Sequence, residues 1–151
     1  MPFSDMPFPD VLLRGISNES DIFDGQVLAQ VFQFNPPKEP REDNHNECSI
    51  NWKDEDCAID LILHERKVSG QIKYSGGVAI LSKEEIDKLR TRRFASVRLD
   101  YERRAIEGND FHGNILLHKD TTEAVRRLIS GVIAYDCVME VIPPRQIAPQ
   151  P

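Results

Sequence analysis

Two histidines bracket one short apolar run of this chain: Gly108-Asn109-Asp110-Phe111-His112-Gly113-Asn114 leads into Ile115-Leu116-Leu117, and His118-Lys119-Asp120 closes it. Arg103 and Arg104 come shortly before, in a basic stretch that also holds Lys88, Arg90, Arg92, Arg93 and Arg98, with Phe94 and Tyr101 interleaved. An imidazole exchanges protons near neutral pH, and a guanidinium stabilises charge that builds on phosphorus. His112 with Arg103, Arg104 and His118 is therefore the residue set of a metal-independent ribonuclease or phosphate-processing enzyme. Arg90, Arg92, Arg93 and Arg98 also form a candidate binding surface, with Tyr101 available to stack on a base. Two facts weigh against the enzyme. If 115–117 is a strand, His112 and His118 lie at its opposite ends, too far apart to act on one bond. Acids of the same chain, in 39–47 and at Asp54, Glu55 and Asp56, also offer those arginines ordinary surface partners.

His45-x-x-Cys48, Cys57 and His64 supply the ligand types of a zinc site, but without the close Cys-x-x-Cys or His-x-x-x-His pairs that zinc modules present. Cys57 fits better as a small core residue, and no metal is expected. Asp54, Glu55, Asp56 and Asp60 lack the glycine and closing glutamate of a calcium loop. Gly76-Gly77 lacks the Lys-Ser/Thr of a phosphate loop, and neither a Gly-x-Gly-x-x-Gly turn nor a Gly-x-Ser-x-Gly elbow occurs. No cofactor is expected.

These residues must be positioned by a single core, since 151 residues with 40% hydrophobic content make one ordinary domain. A net charge of -6 and a pI near 5.2 disfavour nucleic acid as a general partner. The charge is uneven: 14 acids and 7 Lys/Arg up to Ile80, against 11 acids and 12 Lys/Arg from Leu81 onward. Three irregularly spaced cysteines give no disulfide framework, which points to a reducing, cytoplasmic setting. No apolar run nears the roughly 18 residues of a membrane span, and the opening residues lack a signal peptide's basic and apolar regions. No membrane partner is expected.

Proline at 2, 7 and 9 and at 143, 144, 149 and 151 predicts extended arms over 1–10 and 143–151, which fray or else dock in an aromatic groove of a partner, around one domain over 11–142. Within it, 11–16 and 27–34 read as strands and 35–47 as an exposed loop; Asp54-Glu55-Asp56 reads as the acidic first turn of a helix continued by Cys57, Ala58, Leu61 and Ile62, with a strand through Ile59, Leu61 and Leu63 as the alternative. The run 71–81 reads as a bulged strand or hairpin, and Ser82-Lys83-Glu84-Glu85 as a capping box that opens a helix over 83–90. Strands follow at 97–101 and 114–117. The best helix is 121–135, where Ala124, Val125, Leu128, Ile129, Val132 and Ile133 form one stripe, and 137–142 closes the sheet. The fold expected is α+β: a mostly antiparallel sheet with one long C-terminal helix and one or two short helices packed on it.

Leu13-Arg14-Gly15-Ile16, Gly77-Val78-Ala79-Ile80-Leu81 and Asn109-Asp110-Phe111-His112 together resemble the motif order of a set of short uncharacterised bacterial proteins. That resemblance implies a small component of a bacterial operon of toxin, immunity or defence type, and brings no established activity or catalytic residue. The function expected from residues and resemblance together is an adaptor, immunity or accessory protein. Its acidic and basic faces would select a protein partner, one encoded in the same operon or a second copy of itself. The enzyme built on His112 is the alternative.

Overall fold

The computed structural model describes residues 3–37, 45–92 and 96–144. Val11–Ile16 (β1) alternates two apolar sets and becomes a central strand, flanked by Asn46–Trp52 (β4) and Gly77–Ser82 (β5). Leu99–Arg103 (β6), His112–Leu117 (β7) and Val138–Ile142 (β8) complete a six-stranded sheet of order β6-β7-β4-β1-β5-β8, antiparallel at every pair. Ile22–Phe23 (β2) and Gln26–Val27 (β3) form a separate small hairpin, turned by Asp24 and Gly25 at positive φ. Cys57–His64 (α1), Lys83–Arg92 (α2) and Glu123–Val132 (α3) are the α-helices among the described residues. The protein is a single α+β domain whose sheet is antiparallel, with its most apolar-striped helix near the C-terminus.

Register assigns every strand residue to a face. On one face Leu12, Cys48, Ile50, Trp52, Ala79, Leu81, Leu99, Tyr101, Ile115 and Leu117 meet Ile86 and Leu89 of α2 and Ile129 of α3, forming the main core. Burying each such side chain stabilises the fold by roughly 1.5–3 kcal/mol before entropy is counted. The other face carries Leu13, Val78 and Ile80 beneath Ala58, Ile62 and Leu63 of α1, and a polar row on β4, β7 and β6. We call these the closed and the open face.

Local chemistry explains the helix starts. Ser82 Oγ accepts from Glu85 N at 3.3 Å, the first half of the expected capping box, and Thr122 Oγ1 accepts from Val125 N at 3.3 Å to open α3. α3 is shorter than the apolar stripe predicts. It passes after Val132 into a π-helical turn, Ile133–Cys137, which buries Ile133, Ala134 and Cys137 together, while Leu128 faces solvent.

Three further expectations are corrected. The strand expected over 27–34 is confined to Gln26–Val27, because Ala29–Phe32 folds as a 3-10 turn. The turn sinks Val31 and Phe32 under α3, where the buried Ser130 hydroxyl donates to Phe32 O at 2.7 Å. Within 71–81 the strand starts only at Gly77, whose φ of 89° ends the preceding turn. β7 begins at His112, two residues ahead of expectation.

The front arm packs on the domain: Phe3 meets Phe111 at a ring separation of 5.3 Å, and Phe8 stacks on Trp52 at 4.6 Å. Most of the loop expected over 35–47 and of the tail over 143–151 lies outside the described residues. Asn35 and Glu47 exchange backbone hydrogen bonds at the loop's base. At the β8 edge Ile80 faces Glu140 and Leu81 faces Val138, so Met139 is the extra residue of a bulge, a device that twists an edge away from further pairing. Among the described residues no helix is long and apolar enough to cross a membrane.

Candidate functional site

β1 pairs with β5 along its whole length, but with β4 only through Leu12↔Trp52 and Leu13↔Asn51. Beyond Leu13 the two central strands part. Arg14 spans the split: its Nη1 donates to Ser49 O of β4 at 2.8 Å, and its Nε donates to Val31 O of the 3-10 turn at 3.0 Å. Among the described residues no carboxylate pairs with Arg14, and its Nη2 has no protein acceptor.

A cleft of about 600 Å³ opens over this split. Leu13, Arg14, Gly15, Ser49, Ile50 and Asn51 of the two strands form its floor. One wall is the end of α1 with Leu61, His64 and Glu65, continued by Lys73 and Tyr74, and the other is the β6–β7 connection with Ile106–Asn109 and His112. Gly15 makes the first wall possible, since a Cβ there would stand 2.4 Å from the Tyr74 ring. Lys73 Nζ holds Glu65 Oε1 at 2.9 Å, a bond that raises the Lys73 pKa and keeps both charges on the rim. The other wall is pinned to the floor by Asn109 Nδ2, which donates to Asn51 Oδ1 at 3.0 Å.

His112 sits on that floor opposite Asn51. Its Nδ1 lies 2.8 Å from Arg104 O, and only a protonated nitrogen can bond a carbonyl, so Nδ1 is the donor and Nε2 carries the lone pair in the neutral ring. Beside this pair Asn114 faces Ser49 and donates to Glu102 Oε1 at 2.7 Å, and its buried Oδ1 has no partner among the described residues.

The structure brings His112 together with His64, which had stood only as a weak metal candidate. It does not bring His112 together with Arg103 or His118. Arg103 projects from the closed face, where it makes a two-pronged pair with Asp54 at 2.8 Å, donates to Pro7 O and lies over Phe8 and Trp52. Arg104 is exposed and meets His112 through its backbone. His118, at the far end of β7, packs edge-on to His45 and lies 3.4 Å from Asp120. Tyr101 presents no ring face for stacking: it is buried against Trp52 and Phe8, Lys83 Nζ lies over its ring, and its hydroxyl donates to Asp87 at 2.6 Å.

Arg98 belongs to a separate shallow hollow with His118 and Thr122. Arg90 and Arg92 lie on α2 with side chains outside the described set, and Arg93 lies outside the described residues. The zinc candidates are scattered: Cys48 is in the closed-face core, Cys57 is exposed at the start of α1 and not in the core where it was expected, because it stands on the solvent side of the helix's first turn, and among the described residues no cluster could hold a metal. Burial raises the Cys48 thiol pKa, with Arg14's charge opposing.

Sequence reading missed Arg14, Asn51, Tyr74 and the wall function of His64. The signal available was a glycine inside a strand, Gly15, which marks a place where another group approaches the backbone. No protein-family model, curated protein or solved structure matches this chain.

Proposed function

We propose that the protein works by binding, and that its binding site is the cleft over the β1–β4 split, which takes a small polar molecule. The observation that carries this reading is the cleft itself, a concavity of ordinary ligand-site size onto which polar groups converge from five segments distant in sequence. Turnover by His112 with neighbouring arginines has less support. The Arg103 guanidinium is used up on the closed face, and Arg104 reaches His112 only through its carbonyl. Capture of a protein partner by charged faces is the runner-up. It draws little from α2, whose described charges pair within the helix as Lys83–Asp87, Lys88–Glu84 and Lys88–Glu85, and the β8 edge is bulged.

Saturation-transfer NMR against a mixture of anionic, neutral and cationic small molecules tests the reading. At least one class should bind the wild-type protein and be lost when His64→Trp fills the cleft wall. Equal binding by a folded His64→Trp protein would overturn it. So would RNA or nucleotide turnover that vanishes in His112→Ala.

A further inference from the structure

We infer that the molecule held in this cleft is recognised by a neutral amide edge, a carbonyl and an N–H on the same side as in a lactam ring or a primary carboxamide, read by Asn51 and His112; the inference rests on the cleft being the binding site. The two residues are direct partners across β4 and β7, and both line the cleft floor. In the next pair Trp52 N donates to Phe111 O at 2.8 Å, so Asn51 and His112 form one of the ladder's non-hydrogen-bonded pairs, in which facing side chains stand closest.

The hydrogen bonds behind them fix which atom each presents. Asn109 Oδ1 accepts from Phe111 N at 3.0 Å, which leaves the Asn109 amide nitrogen to donate to Asn51 and makes Asn51 Oδ1 the acceptor of that bond. Asn51 Nδ2 then has no acceptor among the described residues, although the residue is only 6% exposed. The buried atoms sealed from solvent without a partner belong to His45, Arg103 and Asn114, so Asn51 Nδ2 is reached by solvent, and the space beside it is the cleft. On β7, His112 Nδ1 donates to Arg104 O on the β6 side of the strand. The two ring nitrogens diverge, so the Nε2 lone pair points away from β6.

A donor beside an acceptor matches a group that offers an acceptor beside a donor. A peptide amide is trans and points its carbonyl and N–H in opposite directions, whereas a lactam or a primary carboxamide presents both on one edge. A carboxylate offers acceptors alone and would set one oxygen against the Nε2 lone pair. The charged groups stand off the floor. Strand register turns the Arg14 side chain to the closed face, where it bonds Val31 O and Ser49 O; Lys73 and Glu65 hold each other at the rim, and Glu107 is on the exposed turn of the opposite wall. Leu61 and Ile62 on one wall and the half-exposed Ile106 on the other give a ring bearing such an edge apolar sides.

The test is an NMR titration of the isotope-labelled full chain with two matched pairs of probes: uracil against dimethyluracil, which lacks both N–H groups, and nicotinamide against nicotinate. The Asn51 side-chain amide and the His112 Nε2 resonance should shift saturably with uracil or nicotinamide, and about tenfold more weakly or not at all with the blocked partner of each. The tighter of uracil and nicotinamide tells whether a ring lactam or a primary carboxamide is the preferred group. Asn51→Asp keeps the acceptor for Asn109 and loses the Nδ2 donor, and should weaken the preferred probe by about tenfold or more. Should Asn51→Asp fail to fold, the matched pairs on the wild-type chain decide. Equal binding of an amide and its blocked partner, or undiminished binding by a folded Asn51→Asp protein, would overturn the inference. Silence of Asn51 and His112 toward every probe, while some other small molecule binds the wild-type chain and is lost in His64→Trp, would overturn the amide edge and leave the cleft as a binding site. If no small molecule binds at all, the cleft reading falls as well.

Discussion

Each face of the sheet lays an aromatic ring on a strand glycine, and the two rings do opposite things. On the closed face Trp52 lies across Gly113, where a Cβ would stand 2.3 Å from its Nε1, and the indole reaches over β7 to donate to Glu102 O at 3.1 Å. Phe8 and Tyr101 pack on it, and Trp52 is fully buried. On the open face Tyr74 lies on Gly15, but no helix follows to cover it. α1 shields the apolar half formed by Leu13, Val78 and Ile80, and leaves the polar half of β4 and β7 as a cleft floor. The difference follows from strand composition. Alternation puts Cys48, Ile50 and Trp52 of β4 on one side and Ser49 and Asn51 on the other, so only the first side gains by being covered.

The largest expected effect tests that asymmetry in energy. Trp52→Ala removes the centre of an aromatic cluster on the closed face and should cost about 4 kcal/mol of unfolding free energy. Ile62→Ala, under the edge of α1 on the open face, should cost about 2 kcal/mol. Urea unfolding of both variants measures the gap. Equal losses would mean that the open face is as tightly built as the closed one.

The next effect concerns two guanidiniums that strand register turns to the same face but that are held differently. Arg103 is paired with Asp54, both nearly excluded from water at 8% and 4% side-chain exposure, whereas Arg14, at the split, bonds only backbone carbonyls among the described residues. Asp54→Asn strands a buried cation and should cost about 3 kcal/mol, while Asp54→Leu combined with Arg103→Met should recover most of that loss, because both desolvation costs disappear together. The same denaturation assay reads it. A double variant no better than the single one would show that the Arg103 contacts to Pro7 O and Phe8 matter more than the ion pair.

The closed face was the more legible of the two. The apolar strands β1 and β8, the Ser82 capping box and the start of α3 are local signals, written within a few residues, and they suffice for an α+β fold with an antiparallel sheet. The 3-10 turn at Ala29–Phe32 misleads because Val31 and Phe32 are both buried by α3, a contact made across a hundred residues of chain that overrides the strand-like composition. The cleft has no local signature. It exists because β1 and β4 stop pairing after two residue pairs and because a helix and two connections border the gap. His112 was visible as a turn histidine. Arg14 looked like one polar residue in an apolar strand, and only the split gives it a role.

The thiols give the finest comparison, since Cys137 lies in the closed-face core and Cys57 stands at the exposed start of α1. Burial, helped by the charges of Asp136 and Glu85, pushes the Cys137 thiol up to about 12. The ordinary value is 9.0, so above it the unfolded chain releases this proton while the folded chain keeps it. The folded state then binds more protons than the unfolded one, and stability must fall as pH rises from about 9 toward 12, by at most about 1.4 kcal/mol per unit. Cys48, raised by burial, acts in the same direction. Cys137→Ala should lower stability at pH 8 through the cavity it leaves, yet flatten the decline in urea midpoint between pH 8 and 10.5 relative to wild type. Iodoacetamide should modify Cys57 in the native protein, at a rate held back by the bond from its thiol to Glu55, and reach Cys48 and Cys137 only on unfolding. Parallel pH slopes, or native labelling of Cys137, would mean that the face covered by α2 and α3 admits water, and the contrast between the two faces would then be one of composition alone.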